Sequence, residues 1–292
     1  MLRPTMSCRA DSCNLLDPKE YNHLQSYSVK EDTAALEKVV FLETPREDHV
    51  HLDIGCGPGT FTKNYLLPRS LPCQKFLAID RSPTMVEFAR QHSAHKNIVF
   101  EVFNFCADDV DSLVAKYGHF NRVYSFIAFH YMKDERKAFK ELARLLTPNS
   151  GECLITAAVS TAPFDAWLEL HLMERWRKTI PDPRLLLSEQ FSFHFGKSKA
   201  QVESDVRQMV SEAGLKCVSL QVYDTAWRFT NVNTCADAMV EAMGLRKYVS
   251  EQDLGELKAD MAHIMNGPSM QNESEYCMKS TLYSIHAQSA VV

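Results

Sequence analysis

The feature that most narrows what this chain can fold into is a rhythm. From His49 onward, short β-type runs at 49–54, 75–79, 98–103, 120–126 and 152–157 alternate with helical patterns at 61–67, 83–92 and 134–146. In the last of these, Phe139, Leu142, Ala143 and Leu146 share one face. Such alternation signals crossover βαβ units and a parallel sheet covered on both faces. A helix over 21–42, with Leu36, Val39 and Val40 at helical spacing, is predicted before the first strand. After residue 158 the pattern changes to a Trp-rich helix at about 163–178, a Pro181-Asp182-Pro183 break and an aromatic stretch from Phe191 to Phe195, read as a cap inserted at about 159–198. The rhythm then resumes. Val202, Val206, Met209, Val210 and Ala213 form a helical face closed by Gly214, followed by a strand at 216–223, helices at 234–243 and 251–265, and a strand at 276–286. The expectation is an α/β chain with a doubly wound, mostly parallel sheet and a helical and aromatic cap. Residues 1–20 read as loosely ordered and 21–292 as one domain.

With 292 residues, 45% hydrophobic and 24% charged, the chain can bury a sizeable core. Its formal charge of −5 and the lack of any long basic run argue against nucleic acid as a partner. Nine cysteines without a Cys-x-x-Cys pair, an odd count, fit a reduced interior. No signal-peptide block opens the sequence and no apolar stretch approaches the ~20 residues of a membrane span. A cytoplasmic protein is expected.

Asp53-Ile-Gly55-Cys-Gly57-Pro-Gly59-Thr60 falls where the first strand should end and the first helix begin, the place where doubly wound folds bind ligands. Glycines there let the backbone approach a ligand closely, and the following helix offers free N–H groups. A dinucleotide fingerprint needs Gly at 60, where Thr60 stands. Asp80 ends the second strand, 25 residues after Gly55, before Ser82-Pro83. An acid at that tip is placed to accept ribose hydroxyls, or, more plainly, to cap a turn.

The Asp-x-Gly-x-Gly-x-Gly spacing resembles class I S-adenosylmethionine-dependent methyltransferases, a Rossmann-like fold with seven strands. The resemblance implies S-adenosyl-L-methionine as cofactor, with Asp53, Gly55, Gly57 and Gly59 holding its methionine part. It also implies an adenine contact after the third strand, from Asn104 or failing that Asp108, with Phe105 and Met85 beside the ring. Arg81 and Ser125 complete the candidate cofactor residues. The segment Arg122-Val-Tyr-Ser-Phe-Ile-Ala-Phe-His130-Tyr131-Met-Lys-Asp134-Glu-Arg-Lys-Ala-Phe139, with Asp165 and Trp176 in the cap, resembles the insect juvenile hormone acid O-methyltransferases, over about 21–287. That resemblance implies methylation of the carboxylate of a small apolar, farnesoid acid.

A carboxylate is already ionised at neutral pH, so it needs alignment and a dry pocket rather than a base. His130 follows the fourth strand and could hold a carboxylate oxygen, with Tyr131 beside it; a structural histidine is the competing reading. Phe126, Phe129, Phe164, Trp167, Trp176, Phe191 and Phe195 are candidates to wall an apolar pocket, or plain core residues. Two departures bear on the substrate: the family has Trp where this chain has Tyr131, and it uses a Gln in the first helix where here Ser28 or Lys30 must substitute or the contact is absent. A binding protein of the same fold with little turnover is the alternative, and a nicotinamide enzyme is disfavoured by Thr60 and by the absence of a Tyr-x-x-x-Lys pair.

Overall fold

The computed structural model describes residues 17–132, 134–186, 196–267 and 275–290. Helix α1, Pro18–Lys38, starts on an Asp17 cap whose carboxylate accepts the N–H groups of Lys19 and Glu20, with proline in the first turn. It stops at Lys38, so Val40 lies outside it, 84% exposed. Then come β1 (Val50–Ile54), a turn of π-helix (Thr62–Leu66) running into α2 (Leu67–Ser70), β2 (Lys75–Asp80), α3 (Pro83–His92), β3 (Ile98–Val102), α4 (Asp111–Tyr117), β4 (Arg122–Phe126), α5 (Glu135–Leu145) and β5 (Glu152–Thr161). The helix read at 61–67 is thus a π-turn and a single α-turn, and α4 escaped the sequence reading because Leu113 is its one buried side chain. The second half holds α6 (Ala162–Leu172), α7 (Pro183–Leu186), α8 (Lys199–Glu212), β6 (Leu215–Phe229), α9 (Val232–Ala242), α10 (Leu254–Asn266) and β7 (Tyr276–Ser289).

The seven strands form one sheet in the order β3-β2-β1-β4-β5-β7-β6, the first five parallel and β7 antiparallel to both neighbours. All five residues of β1 and of β4 are buried, the mark of central strands covered on both faces. One core, with Leu52, Phe129, Phe139 and Val206, fills one face; another, with Leu36, Phe61, Phe76 and Tyr124, fills the other. The order in which strands are added reverses between the parallel neighbours β1 and β4, opening a crevice at their carboxyl ends. A third core ties α6, with Trp167, to Trp176 and to α9, α10, Leu24 of α1 and the β6–β7 end at Phe229 and Met278. This core therefore draws on both ends of the chain as well as on 162–180, and residues 187–195 of the expected cap lie outside the described residues. No described helix is long and apolar enough to cross a membrane.

β6 and β7, with 15 and 14 residues, are longer than the ten-residue β5 and than β1 to β4, which have five or six. β5 pairs with β7 only as far as Thr161 opposite Ser280, while β6 continues to Phe229 opposite Tyr276. The last turns of this ribbon overhang the carboxyl edge of the sheet.

Candidate active site

β1 runs into a loop whose conformation only glycine adopts without strain: Gly55 has φ +77° and Gly57 φ +53°. Gly55 and Cys56 both donate to the Ile79 carbonyl, drawing the loop against the end of β2. A Cβ on Gly55 would lie 2.3 Å from that of Ala128, so the loop and the turn after β4 meet at a distance no side chain allows. Asp80 locks the arrangement, one oxygen accepting Gly57 N–H at 2.9 Å and the other Ser82 N–H at 2.9 Å. Burial raises its pKa against these two bonds and the neighbouring Arg81. A carboxylate offers about four acceptor positions. Two are used by backbone, and the group lines an open cleft.

That cleft collects Gly55, Gly57, Asp80, Arg81, Met85, Asn104 and Phe105, with Tyr131 and Trp167 on its far side. Of the two residues offered for the third strand's end, Asn104 lines it. Asp108 instead accepts the Asn104 backbone N–H at 2.7 Å, bracing the turn. Three residues expected at the cofactor stand elsewhere. Asp53 lies buried beneath the loop, where its carboxylate accepts the Thr62 hydroxyl at 2.6 Å and burial lifts its pKa to about 7. Gly59 faces the Phe100 ring. Ser125 donates to the Ile54 carbonyl at 2.9 Å, pinning β4 to β1. All three hold the loop's foundation rather than its open surface. Thr60 donates to Asn22 at 2.6 Å, tying the loop to α1.

A second cavity adjoins the first, and Tyr21, Ile127, Tyr131, Phe164 and Met243 line both. At this seam Ile127 takes φ +50°, a conformation a β-branched residue adopts only when its surroundings hold it there. His130 and Phe126 line the second cavity, as expected. His130 Nδ1 accepts the Ala158 N–H at 3.3 Å, which assigns its proton to Nε2, and burial holds its pKa down at about 3. The ring is neutral and packs 4.2 Å from that of Tyr131, whose own pKa burial raises. Both are therefore protonated hydrogen-bond donors at neutral pH.

Ser28 lines the cavity too, but its hydroxyl donates to Asp32 at 2.9 Å. Lys30 does not: it is exposed, two residues and so about 200° around α1 from Ser28. Phe129 is fully buried against Phe139, 4.9 Å between ring centroids. The Trp176 indole donates to Asp260 at 2.8 Å beneath the Arg175 guanidinium. Neither reaches a cavity. Trp167 lines the cofactor cleft, not the second cavity, and its indole donates to the Pro181 carbonyl at 2.9 Å. Phe191 and Phe195 lie outside the described residues. The sequence reading missed Gln25, which shares a face of α1 with Ser28 and Asp32, and missed Trp227 and Ser280 on the overhanging ribbon. Spacing of i, i+3, i+7 on α1 would have revealed the first. Among the described residues no three His, Cys, Asp or Glu side chains converge to hold a metal ion.

Residues 52–149 match the family model described as "Methyltransferase domain". The chain is 25% identical over 170 residues, 58% of its length, to a juvenile hormone acid O-methyltransferase of Bombyx mori, and 31% identical over 119 residues, 40% of its length, to a malonyl-[acyl-carrier protein] O-methyltransferase of Hahella chejuensis. The matched stretches span 58% and 40% of those two relatives' own lengths. A crystal structure of a putative methyltransferase from Bacillus halodurans superposes with a TM-score of 0.53 at 17% identity, over 89% of this chain and 100% of that one. The fold is the Rossmann-like class I methyltransferase fold, and the cofactor of such a domain is S-adenosylmethionine. The first cleft fits that molecule: a backbone cradle that a Cβ at Gly55 would close, beside a buried carboxylate with acceptor positions to spare.

Proposed function

We propose, starting from a methyltransferase domain of the class I fold that takes S-adenosylmethionine, that the chain transfers a methyl group to a carboxylate oxygen of a small apolar acid seated in the second cavity. The observation that carries this is the seam: two cavities share Tyr21, Ile127, Tyr131, Phe164 and Met243, so a donor in one and an acceptor in the other meet there. In this reading the free acceptor positions of Asp80 take the ribose hydroxyls. Asn104, Phe105 and Met85 receive the adenine, and the glycine backbone at 55 and 57 admits the amino-acid tail.

Bound cofactor supplies an electrophilic methyl on a cationic sulfonium. The protein's part is to hold the acceptor. His130 Nε2–H and the Tyr131 hydroxyl donate to one carboxylate oxygen and leave the other aimed across the seam. Neither has to move a proton, because the acid arrives ionised, and the neutral state that burial imposes on both suits donors that only position. Among the described residues no lysine or arginine lines the second cavity, so the charge complement of the carboxylate is the sulfonium itself. The names of the insect and bacterial relatives, one acting on juvenile hormone acid and one on a malonyl thioester, support an acid acceptor. Tyr131 places its hydroxyl further from the backbone than an indole N–H would lie, so farnesoic acid should be a poor acceptor beside shorter apolar acids.

A labelled-methyl assay over acids, amines and phenols tests the reading. Alkali-labile label from apolar acids alone is expected. Label confined to amines or phenols would replace the proposed acceptor, and cofactor binding without label on any compound would leave a binding protein.

A further inference from the structure

The second cavity is apolar over most of its wall, with Leu24, Phe126, Met239, Met278 and Leu282 among its lining. It also carries three buried polar atoms that have no hydrogen-bond partner among the described residues: the indole N–H of Trp227, the hydroxyl of Ser280 and the amide oxygen of Gln25. Buried polar groups left unpaired are costly, and the great majority are satisfied. Three of them converging on one cavity mark a place where a ligand completes the bonding.

Their position is fixed by the ribbon. Leu282 of β7 lies opposite Ala158, whose N–H is bonded to His130; Ser280 lies two residues further toward the overhang and Met278, paired with Trp227, four. At about 3.4 Å per residue, Ser280 stands roughly 7 Å and the Trp227 pair roughly 13 Å along the strand from the His130 level. All three side chains line the second cavity without touching the first. Gln25 faces them from α1. Trp227 and Ser280 are therefore set away from the His130 level along the ribbon, and Gln25 stands one turn of α1 beyond the seam residue Tyr21.

Its chemistry selects one kind of group. Trp227 can only donate, Gln25 Oε1 can only accept, and Ser280 can do either. A second carboxylate would find one indole and one hydroxyl against the Gln25 oxygen and the Asp32 carboxylate, with no lysine or arginine among the described residues of the lining. A methyl group would leave all three atoms unpaired. A hydroxyl, which gives one hydrogen bond and takes one or two, satisfies the set. Resting on the reading of this cavity as the acceptor site, we propose that Trp227, Ser280 and Gln25 recognise an uncharged hydroxyl group at the end of the acceptor remote from its carboxylate, so that the substrate class is a hydroxylated apolar acid.

The test uses the full chain saturated with S-adenosylhomocysteine and calorimetric titration of two probe series: straight-chain acids from hexanoic to dodecanoic, and their ω-hydroxy counterparts. At one or more lengths the hydroxy acid should bind at least tenfold tighter than the plain acid, because a site built to bond a hydroxyl rejects the analogue that lacks it. The matching α,ω-diacids should bind no better than the plain acids. Trp227→Phe and Ser280→Ala should each shrink the ratio between the two series, read on protein whose thermal unfolding remains cooperative. Equal affinities at every length, or a preference that survives both substitutions, would overturn the inference while leaving the acid acceptor in place. If no acid of any series binds, the acceptor reading and this inference fall together.

Discussion

Asp80→Asn is the perturbation whose outcome follows most directly from the geometry. The native carboxylate accepts Gly57 N–H and Ser82 N–H, each at 2.9 Å, and keeps its other acceptor positions for the cleft. An amide of the same shape has a single oxygen. Its oxygen can hold one of the two backbone bonds, but its NH₂ then opposes the other backbone N–H donor, and on that side the ribose hydroxyls lose the acceptor they would donate to. The lost bonds to a charged acceptor are worth about 1.5–3 kcal/mol, which is roughly a ten- to 150-fold rise in the dissociation constant for S-adenosylhomocysteine. Calorimetry at neutral pH measures it, with circular dichroism confirming that the variant folds. Because burial raises the Asp80 pKa, affinity in the native chain should fall as pH drops and the carboxyl protonates, and the Asn variant should lack this dependence. A dissociation constant unchanged by the substitution would refute the placement of the ribose on Asp80.

Gly55→Ala should destabilise the fold by at least about 2 kcal/mol, since its Cβ would meet that of Ala128 at 2.3 Å in a left-handed conformation, and Ala128→Gly in the same chain should restore part of the loss on a denaturant curve. His51, fully buried and held at a pKa of about 3 by burial with Arg122 beside it, stays neutral while the unfolded chain protonates near 6.5. Stability is then present above that value and lost as pH falls below it. At pH 5 the loss is about 2 kcal/mol, and His51→Leu should lose that much less than the native chain between pH 7 and 5, whereas parallel curves would sink the argument. Thiol titration of the denatured chain prepared without oxidant should return close to nine groups, in line with the free cysteines at 56, 73, 106, 153, 217, 235 and 277; a clear shortfall would show a disulfide.

What the sequence revealed follows from how each feature is written in it. The parallel half was legible because β1 to β5 are short apolar runs between amphipathic helices, and α3 was placed to the residue by Ser82-Pro83. The glycine loop and Asp80 were legible as a spacing. The roles of Asp53 and Ser125 were not, since both look like cleft residues until the Thr62 and Ile54 bonds turn them inward. β6 was expected to end at 223 because Asp224, Thr225 and Arg228 interrupt its apolar character. Pairing with β7 carries it on to Phe229, and Trp227 enters the cavity on that extension. The wall of the second cavity is assembled from α1, β4, β5, α6, β6, β7 and α9. Residues so far apart in the chain share no local pattern, which is why Trp227 and Ser280 were passed over, whereas Gln25 was legible in its spacing with Ser28 and Asp32 on α1.

The central claim is that cofactor and acceptor meet across the Tyr131 seam, and a crystal structure of the chain with S-adenosylhomocysteine and an apolar acid tests it most directly. The account predicts the nucleoside in the glycine cleft with its ribose hydroxyls on Asp80, the sulfur facing the seam, and the acid's carboxylate within hydrogen-bond reach of His130 Nε2 and the Tyr131 hydroxyl. A sulfur turned away from the seam, or an acid bound outside the second cavity, would contradict it.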